Sequence, residues 1–169
     1  MKNSVVWWNE INQNEILLNI WLKNQYLWEA ISSKRIRDFS KNYCASEKYA
    51  KILELIAIQE DQHASWIREL LESRGLPIGI LENEGRYPAI SCFEDGMAVA
   101  ARAEEERFEK IRIVANDTKT PSDIRVAFRK ILKDEVFHIT VFRHMATEET
   151  YSKTSVTHLV GLEAFGLVA

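Results

Sequence analysis

The stretch KILELIAIQEDQHASWIREL, residues 51–70, places apolar residues at the three- and four-residue steps of one helical face. Ile52, Leu53, Ile56 and Ala57 lead along that face, Ala64, Ile67 and Leu70 continue it, and Tyr49 and Leu71 flank it. Glu60 and His63 stand in its middle. Three residues apart on a helix, they project side by side from the face expected to be buried. A carboxylate and an imidazole in an apolar stripe need a partner, because an unpaired buried charge is costly. A metal ion would serve, provided the rest of the chain supplies further ligands.

The chain around this stretch is 169 residues long, enough for one domain with a sizeable core. Apolar residues make up 46% and charged residues 28%, as in ordinary soluble globular proteins. The net charge of -3 and the lack of a basic stripe argue against nucleic acid as a partner. Cys44 and Cys92 are the two cysteines; with no C-x-x-C pair, no thiolate metal module is expected, and two isolated thiols suit a reducing compartment. The start, MKNSVVWWNEINQNE, breaks its apolar run with Asn and Glu and reads poorly as a signal peptide. No apolar run approaches the roughly 20 residues of a membrane span. A cytoplasmic protein with no membrane partner is the expectation.

With only 6 Gly and 3 Pro and no strand-type alternation, long helices are the natural reading. The first is expected from about Asn9 or Glu15 to about Lys41, with Leu18, Leu22, Gln25, Glu29, Ser33 and Ile36 facing inward. Ser46 offers an N-cap to the second, and Gly75 a C-terminal cap. The segment from Gly75 to Gly96 holds two of the three prolines and four of the six glycines. A connection of that length lets the third helix run parallel to the second by crossing the bundle. The third helix, about Phe93 to Ala115, carries Met97, Ala100, Ala101, Glu104, Phe108, Ile111 and Ala115 on one face. Pro121, capped by Thr120 or Ser122, opens the fourth, whose stripe is Ile124, Phe128, Ile131, Glu135, His138, Phe142 and Met145. A polar stretch from Thr147 to Lys153 should separate this bundle, residues 15–146 or so, from a short C-terminal helix at about 154–166.

The fourth helix repeats the device of the second. Glu135 and His138 form another E-x-x-H on an apolar stripe, and a glutamate precedes each pair by the same interval, 29 to 60 and 104 to 135. SKRIRDFSKN, residues 33–42, lies in register with FEKIRIVAND, residues 108–117. The chain reads as two helical hairpins of one plan.

In this order, Glu29, Glu60-x-x-His63, Glu104 and Glu135-x-x-His138 resemble the ferritin-like dinuclear carboxylate proteins, and the rubrerythrin-like members most of all, without a rubredoxin domain. The resemblance implies an all-α, single-domain, ferritin-like four-helix bundle. It implies two metal ions, most often iron with manganese as the other candidate, bridged by Glu60 and Glu135. Glu29 and Glu104 would be terminal ligands, and His63 and His138 would each bind one ion. Four carboxylates nearly balance two divalent ions, and no thiolate is offered that would favour zinc or a cluster. Two departures from related patterns matter. Where rubrerythrins often carry an extra glutamate one turn after the third-helix ligand, this chain has Arg107. Where bacterioferritins carry a haem-ligating methionine after the second ligand glutamate, it has Asp61, so no haem is expected. Glu105 and Glu106 point roughly 100° and 200° around the helix from Glu104 and should not add ligands.

The expected work is redox chemistry with dioxygen or peroxide, fed by an external electron donor because no redox module accompanies the bundle. A ferroxidase that stores iron in a shell, and an oxygenase acting on an organic substrate, are the alternatives. Trp7, Trp8, Trp21, Trp28 and Trp66 are read as core or homodimer contacts ahead of ligand binding. Tyr26, Tyr43 and Tyr49 are assigned to packing, His144 to the surface and His158 to packing.

Overall fold

The computed structural model describes residues 4–78 and 90–154; five helices lie wholly within them, and a further helical run begins at residue 148. The five are α1 (Ser4–Asn12), α2 (Glu15–Tyr43), α3 (Glu47–Ser73), α4 (Phe93–Asn116) and α5 (Ser122–Met145). The chain is all-α, and α2 to α5 form the ferritin-like bundle.

Cross-helix contacts fix the directions. Arg37 of α2 meets Glu54 and Asp61 of α3, so those two helices form an antiparallel hairpin with α2 packed along α3. Arg74, at the end of α3, pairs with Asp123 at the start of α5, while Gln59 lies beside His138; α3 and α5 are therefore antiparallel as well. Because α4 and α5 form the second hairpin, α4 runs parallel to α3. Tyr49, at the start of α3, stacks on Phe93, at the start of α4, with ring centroids 5.9 Å apart. The connection after α3 thus travels the length of the bundle, about 40 Å for a 27-residue helix. Much of that crossover (79–89) lies outside the described residues, as does the predicted C-terminal helix beyond 154 with His158.

Local chemistry sets the helix ends. Asn14 Oδ1 accepts the amide hydrogens of Ile16 and Leu17 at the start of α2. Ser46 caps α3 by accepting from the Tyr49 amide. At the other end of α3, Gly75 takes φ +65°; its amide bonds Glu72 O and that of Leu76 bonds Leu71 O, the paired closure of a Schellman turn. The cap predicted for α5 differs. Pro121 precedes α5 without a side-chain cap, and the Thr120 hydroxyl instead accepts the Trp8 indole N–H at 2.9 Å.

That bond explains the largest departure from the expected organisation. α2 begins at Glu15, the later of its two expected starts, and residues 4–12 form a further helix that carries Trp8 into full burial against Trp21, which packs on Phe128 with ring centroids 4.9 Å apart. Trp7 packs at the edge of this core, while Trp28 remains partly exposed. Trp21 and Tyr26, not Gln25, complete the inward face of α2. The polar stretch after Met145 is not a plain separator either. Residues 148–154 are helical, and Tyr151 is buried with its ring between the guanidiniums of Arg102 and Arg143. No described helix is long and apolar enough to cross a membrane.

The apolar interior divides into two clusters. One gathers Trp8, Trp21, Ile67, Ile111 and Phe128 at one end; the other gathers Leu53, Ile56, Met97, Phe142 and Met145 towards the opposite end. In sequence along α2 to α5, the acidic and histidine residues fall between them. Gly96 brings α4 close to α2 in the second cluster, because a Cβ there would overlap the Phe39 ring. Phe39 is held by stacking on Tyr43 and Phe93. Gly96→Ala should therefore destabilise by about 1–3 kcal/mol as overpacking does, despite alanine's better helix propensity. Urea unfolding checks this, and an unchanged or raised midpoint would show that Phe39 moves freely.

Candidate metal centre

All six predicted residues come together. Glu29 (α2), Glu60 and His63 (α3), Glu104 (α4), and Glu135 and His138 (α5) are all buried. Helical spacing accounts for the arrangement: each E-x-x-H puts its two side chains on one face, and each hairpin partner adds a glutamate at the same level. Two overlapping groups result. Glu29, Glu60, His63 and Glu135 offer one set of ligand atoms, and Glu60, Glu104, Glu135 and His138 the other, each set within 4.8 Å. Glu60 and Glu135 belong to both.

The histidines are oriented from outside this cage. His63 Nε2 lies 3.1 Å from Asp134 Oδ2, and His138 Nε2 lies 3.1 Å from Gln59 Oε1. Each acceptor draws the ring proton to Nε2 and leaves the Nδ1 lone pair facing the carboxylates, the tautomer a metal ligand requires. His63 Nδ1 stands 3.6 Å from Glu29 and 3.8 Å from Glu135. His138 Nδ1 stands 3.0 Å from Glu60 Oε1 and 3.5 Å from Glu135 Oε2. Close as they are, these atoms are not aligned as hydrogen bonds, and both Nδ1 atoms, both oxygens of Glu60 and of Glu135, Glu29 Oε2 and Glu104 Oε2 lack a hydrogen-bond partner. So many orphaned polar atoms converging on one point would be a severe cost in a bundle held together by its own side chains alone. The same atoms are the donors that two divalent ions need. Carboxylate oxygen and imidazole nitrogen suit iron or manganese, and Cys44 and Cys92 take no part.

No periodicity in the sequence marks Asp134 or Gln59, yet each immediately precedes a shared glutamate, 59 before 60 and 134 before 135. Each reaches across to the histidine of the other hairpin. In the sequence Arg107 stands only as a departure from a related pattern. One turn beyond Glu104 it returns to the inward face, and its guanidinium bonds Glu29 and lies 3.2 Å from Glu135. Glu105 and Glu106 stay outside, bonded to Tyr151 and Lys110. Asp61 likewise points away, paired with Arg37 at 2.8 Å.

Electrostatics divides the carboxylates. Burial, followed by the charges of Glu135 and Glu60, pushes Glu104 well above the usual carboxylate range. Burial also raises Glu60, against the pull of His138. Glu135 goes the other way: burial opposes ionisation most strongly, but the Arg107 charge and His138 together lower it to about 2. For His138 burial disfavours the proton, and the Glu135 and Glu60 carboxylates overcome it and raise the imidazole.

These directions fix a pH dependence for the chelated protein. Glu104 and Glu60, raised on folding, stabilise the fold below the usual carboxylate range and lose that contribution as pH rises through their raised values. His138, also raised, acts in the same sense at higher pH. Glu135, depressed, loses its contribution only as pH falls towards about 2. The Tm in excess chelator should therefore fall as pH rises above the usual carboxylate range, and Glu104→Gln should flatten the slope. A chelated Tm that rises with pH there would contradict the assignment.

No curated protein and no solved structure matches the chain. Residues 26–146, from the middle of α2 to the end of α5 and including all six residues of the cage, match the rubrerythrin family. A ferritin-like bundle with a buried glutamate–histidine cage is the architecture of that family's di-iron carboxylate domain, and the chain belongs to the rubrerythrin family.

Proposed function

We propose that the protein is a non-haem oxidoreductase whose di-iron or iron–manganese centre reacts with dioxygen or peroxide. The observation that carries this reading is the pair of four-residue donor sets sharing Glu60 and Glu135. Bound there, two ions would supply electrons and Lewis acidity to an oxidant. Glu60 and Glu135, common to both donor sets, would help to hold each ion, Glu29 and Glu104 would each complete one half, and His63 and His138 would offer Nδ1. Asp134 and Gln59 hold the imidazoles in the required tautomer. The apolar clusters above and below exclude water from the layer. Electrons would come from an external protein or small reductant, and the working assembly would be a cytoplasmic homodimer.

The test is a single turnover. Anaerobic protein loaded with ferrous iron should oxidise two irons per chain for each peroxide consumed, two protons and one peroxide leaving as two waters. It should then be reset by an added reductant. Continued uptake of iron far beyond two per chain, in a particle of about two dozen subunits, would replace this reading with iron storage.

A further inference from the structure

We propose that Arg107 is a resident counter-cation of the carboxylate cage that makes metal uptake sequential. The first ion enters the Glu104–His138 half, and the second enters the Glu29–His63 half only when the Arg107 guanidinium leaves it. The inference rests on the metal-centre reading above and assigns to one side chain the order in which that centre fills.

The six acidic and histidine residues obey the internal repeat, but Arg107 does not. The interval that relates 29 to 104 relates 32 to 107, and residue 32 is Ser32. The cage is therefore symmetric in its ligands and asymmetric in its own positive charge. Arg107 Nη2 bonds Glu29 Oε1. Nη1 lies 3.2 Å from Glu135 Oε1, and further off, at 3.8 and 3.9 Å, from Glu104 Oε2 and Glu60 Oε2. The Glu135 oxygen that Arg107 approaches is the one turned towards His63, whereas Oε2 is turned towards His138. In the His63 half, the guanidinium thus holds the terminal carboxylate and crowds the shared one. In the His138 half, Glu60 Oε1, Glu135 Oε2 and His138 Nδ1 face one another with no hydrogen bond.

Charge gives the same order. Once its four carboxyls have ionised to act as ligands, the cage with its one guanidinium carries three negative charges, so a first divalent ion leaves it with one. A second divalent ion, entering beside the guanidinium, would leave a net positive charge in a buried layer, where like charges are poorly screened. Loading both halves therefore requires Arg107 to withdraw. Its side chain is 10% exposed, so it reaches the cage from the bundle surface and can leave by the same route.

Manganese(II) titration of chelator-stripped protein, followed by calorimetry and by the electron paramagnetic resonance of free ion, reads the order directly. Wild type should take one ion tightly and a second at least about tenfold more weakly. Arg107→Gln should tighten the second step by about tenfold or more and leave the first nearly unchanged; Arg107→Lys, which keeps the charge, should preserve the gap. His138→Ala should abolish the tight step, and His63→Ala should retain it. Circular dichroism confirms that each variant is helical, and the two histidine variants decide the order even if Arg107→Gln fails to fold. Equal isotherms for wild type and Arg107→Gln would overturn the role of Arg107. Loss of the tight step in His63→Ala instead of His138→Ala would overturn the order. No manganese uptake by any of these proteins would overturn the metal centre itself along with the inference.

Discussion

Glu60→Ala should abolish uptake of both metal ions while the chain still folds. Glu60 belongs to both four-residue donor sets, so its removal takes a ligand from each at once, whereas loss of Glu29 or Glu104 disables only one half. The stripped variant should be no less stable than the stripped wild type. Burial raises the Glu60 carboxyl, and both its oxygens lack a hydrogen-bond partner, so the fold gains little from it without an ion. Glu135→Ala is expected to lose metal equally but to differ in the stripped state. Glu135 is the carboxylate that Arg107 and His138 hold ionised, and removing it leaves a buried guanidinium with fewer partners. Such truncations cost about 3–5 kcal/mol, and the remaining bond to Glu29 places this one at the lower end. Elemental analysis gives the first result and thermal melts in chelator give the second. Two ions retained by Glu60→Ala would show that Glu60 is not a shared ligand.

Stripping the wild-type protein of metal should lower its Tm by tens of degrees. An ion that binds only the folded chain stabilises it by about 4 kcal/mol at a free concentration about a thousandfold above Kd. Two such ions contribute about 8 kcal/mol, and at about 2–4 °C per kcal/mol for a chain of this size the Tm moves by about 15–30 °C. The orphaned oxygens and imidazole nitrogens of the cage give the physical reason, since without ions they are desolvated and left unpaired. Differential scanning calorimetry with manganese and with chelator checks it. Coincident melts would remove the ions from the stability of the fold.

How much of this was legible in the sequence depends on whether a feature is periodic. Glu60, His63, Glu135 and His138 announce themselves because each interrupts an apolar stripe, and Glu29 and Glu104 because the repeat places them at equal intervals. Gly75 was readable from its position after the last periodic residue, and it takes the positive φ that the helix end requires. The start of α2 at Glu15 is one of the two the sequence offers, but the helix over residues 4–12 is not legible there, because its burial depends on a bond between Trp8 and Thr120, more than 100 positions apart. The same bond takes Thr120 away from the cap it was expected to make. Asp134 and Gln59 sit about 100° around the helix from the shared glutamates, a direction that reads as solvent-facing until the two hairpins dock. Arg107 illustrates the limit most clearly. Its position showed only that a related glutamate was missing; that its charge reaches Glu29 and Glu135 follows from packing, not from spacing.

The metal content of the protein, measured by elemental analysis after saturation with iron(II) or manganese(II) and removal of free ion, tests the account most directly. Two ions per chain in the wild type, falling to none in Glu60→Ala and to none in Glu135→Ala, is the result predicted by a cage built around two shared carboxylates. A single zinc per chain, or no metal at all in the saturated wild type, would contradict it.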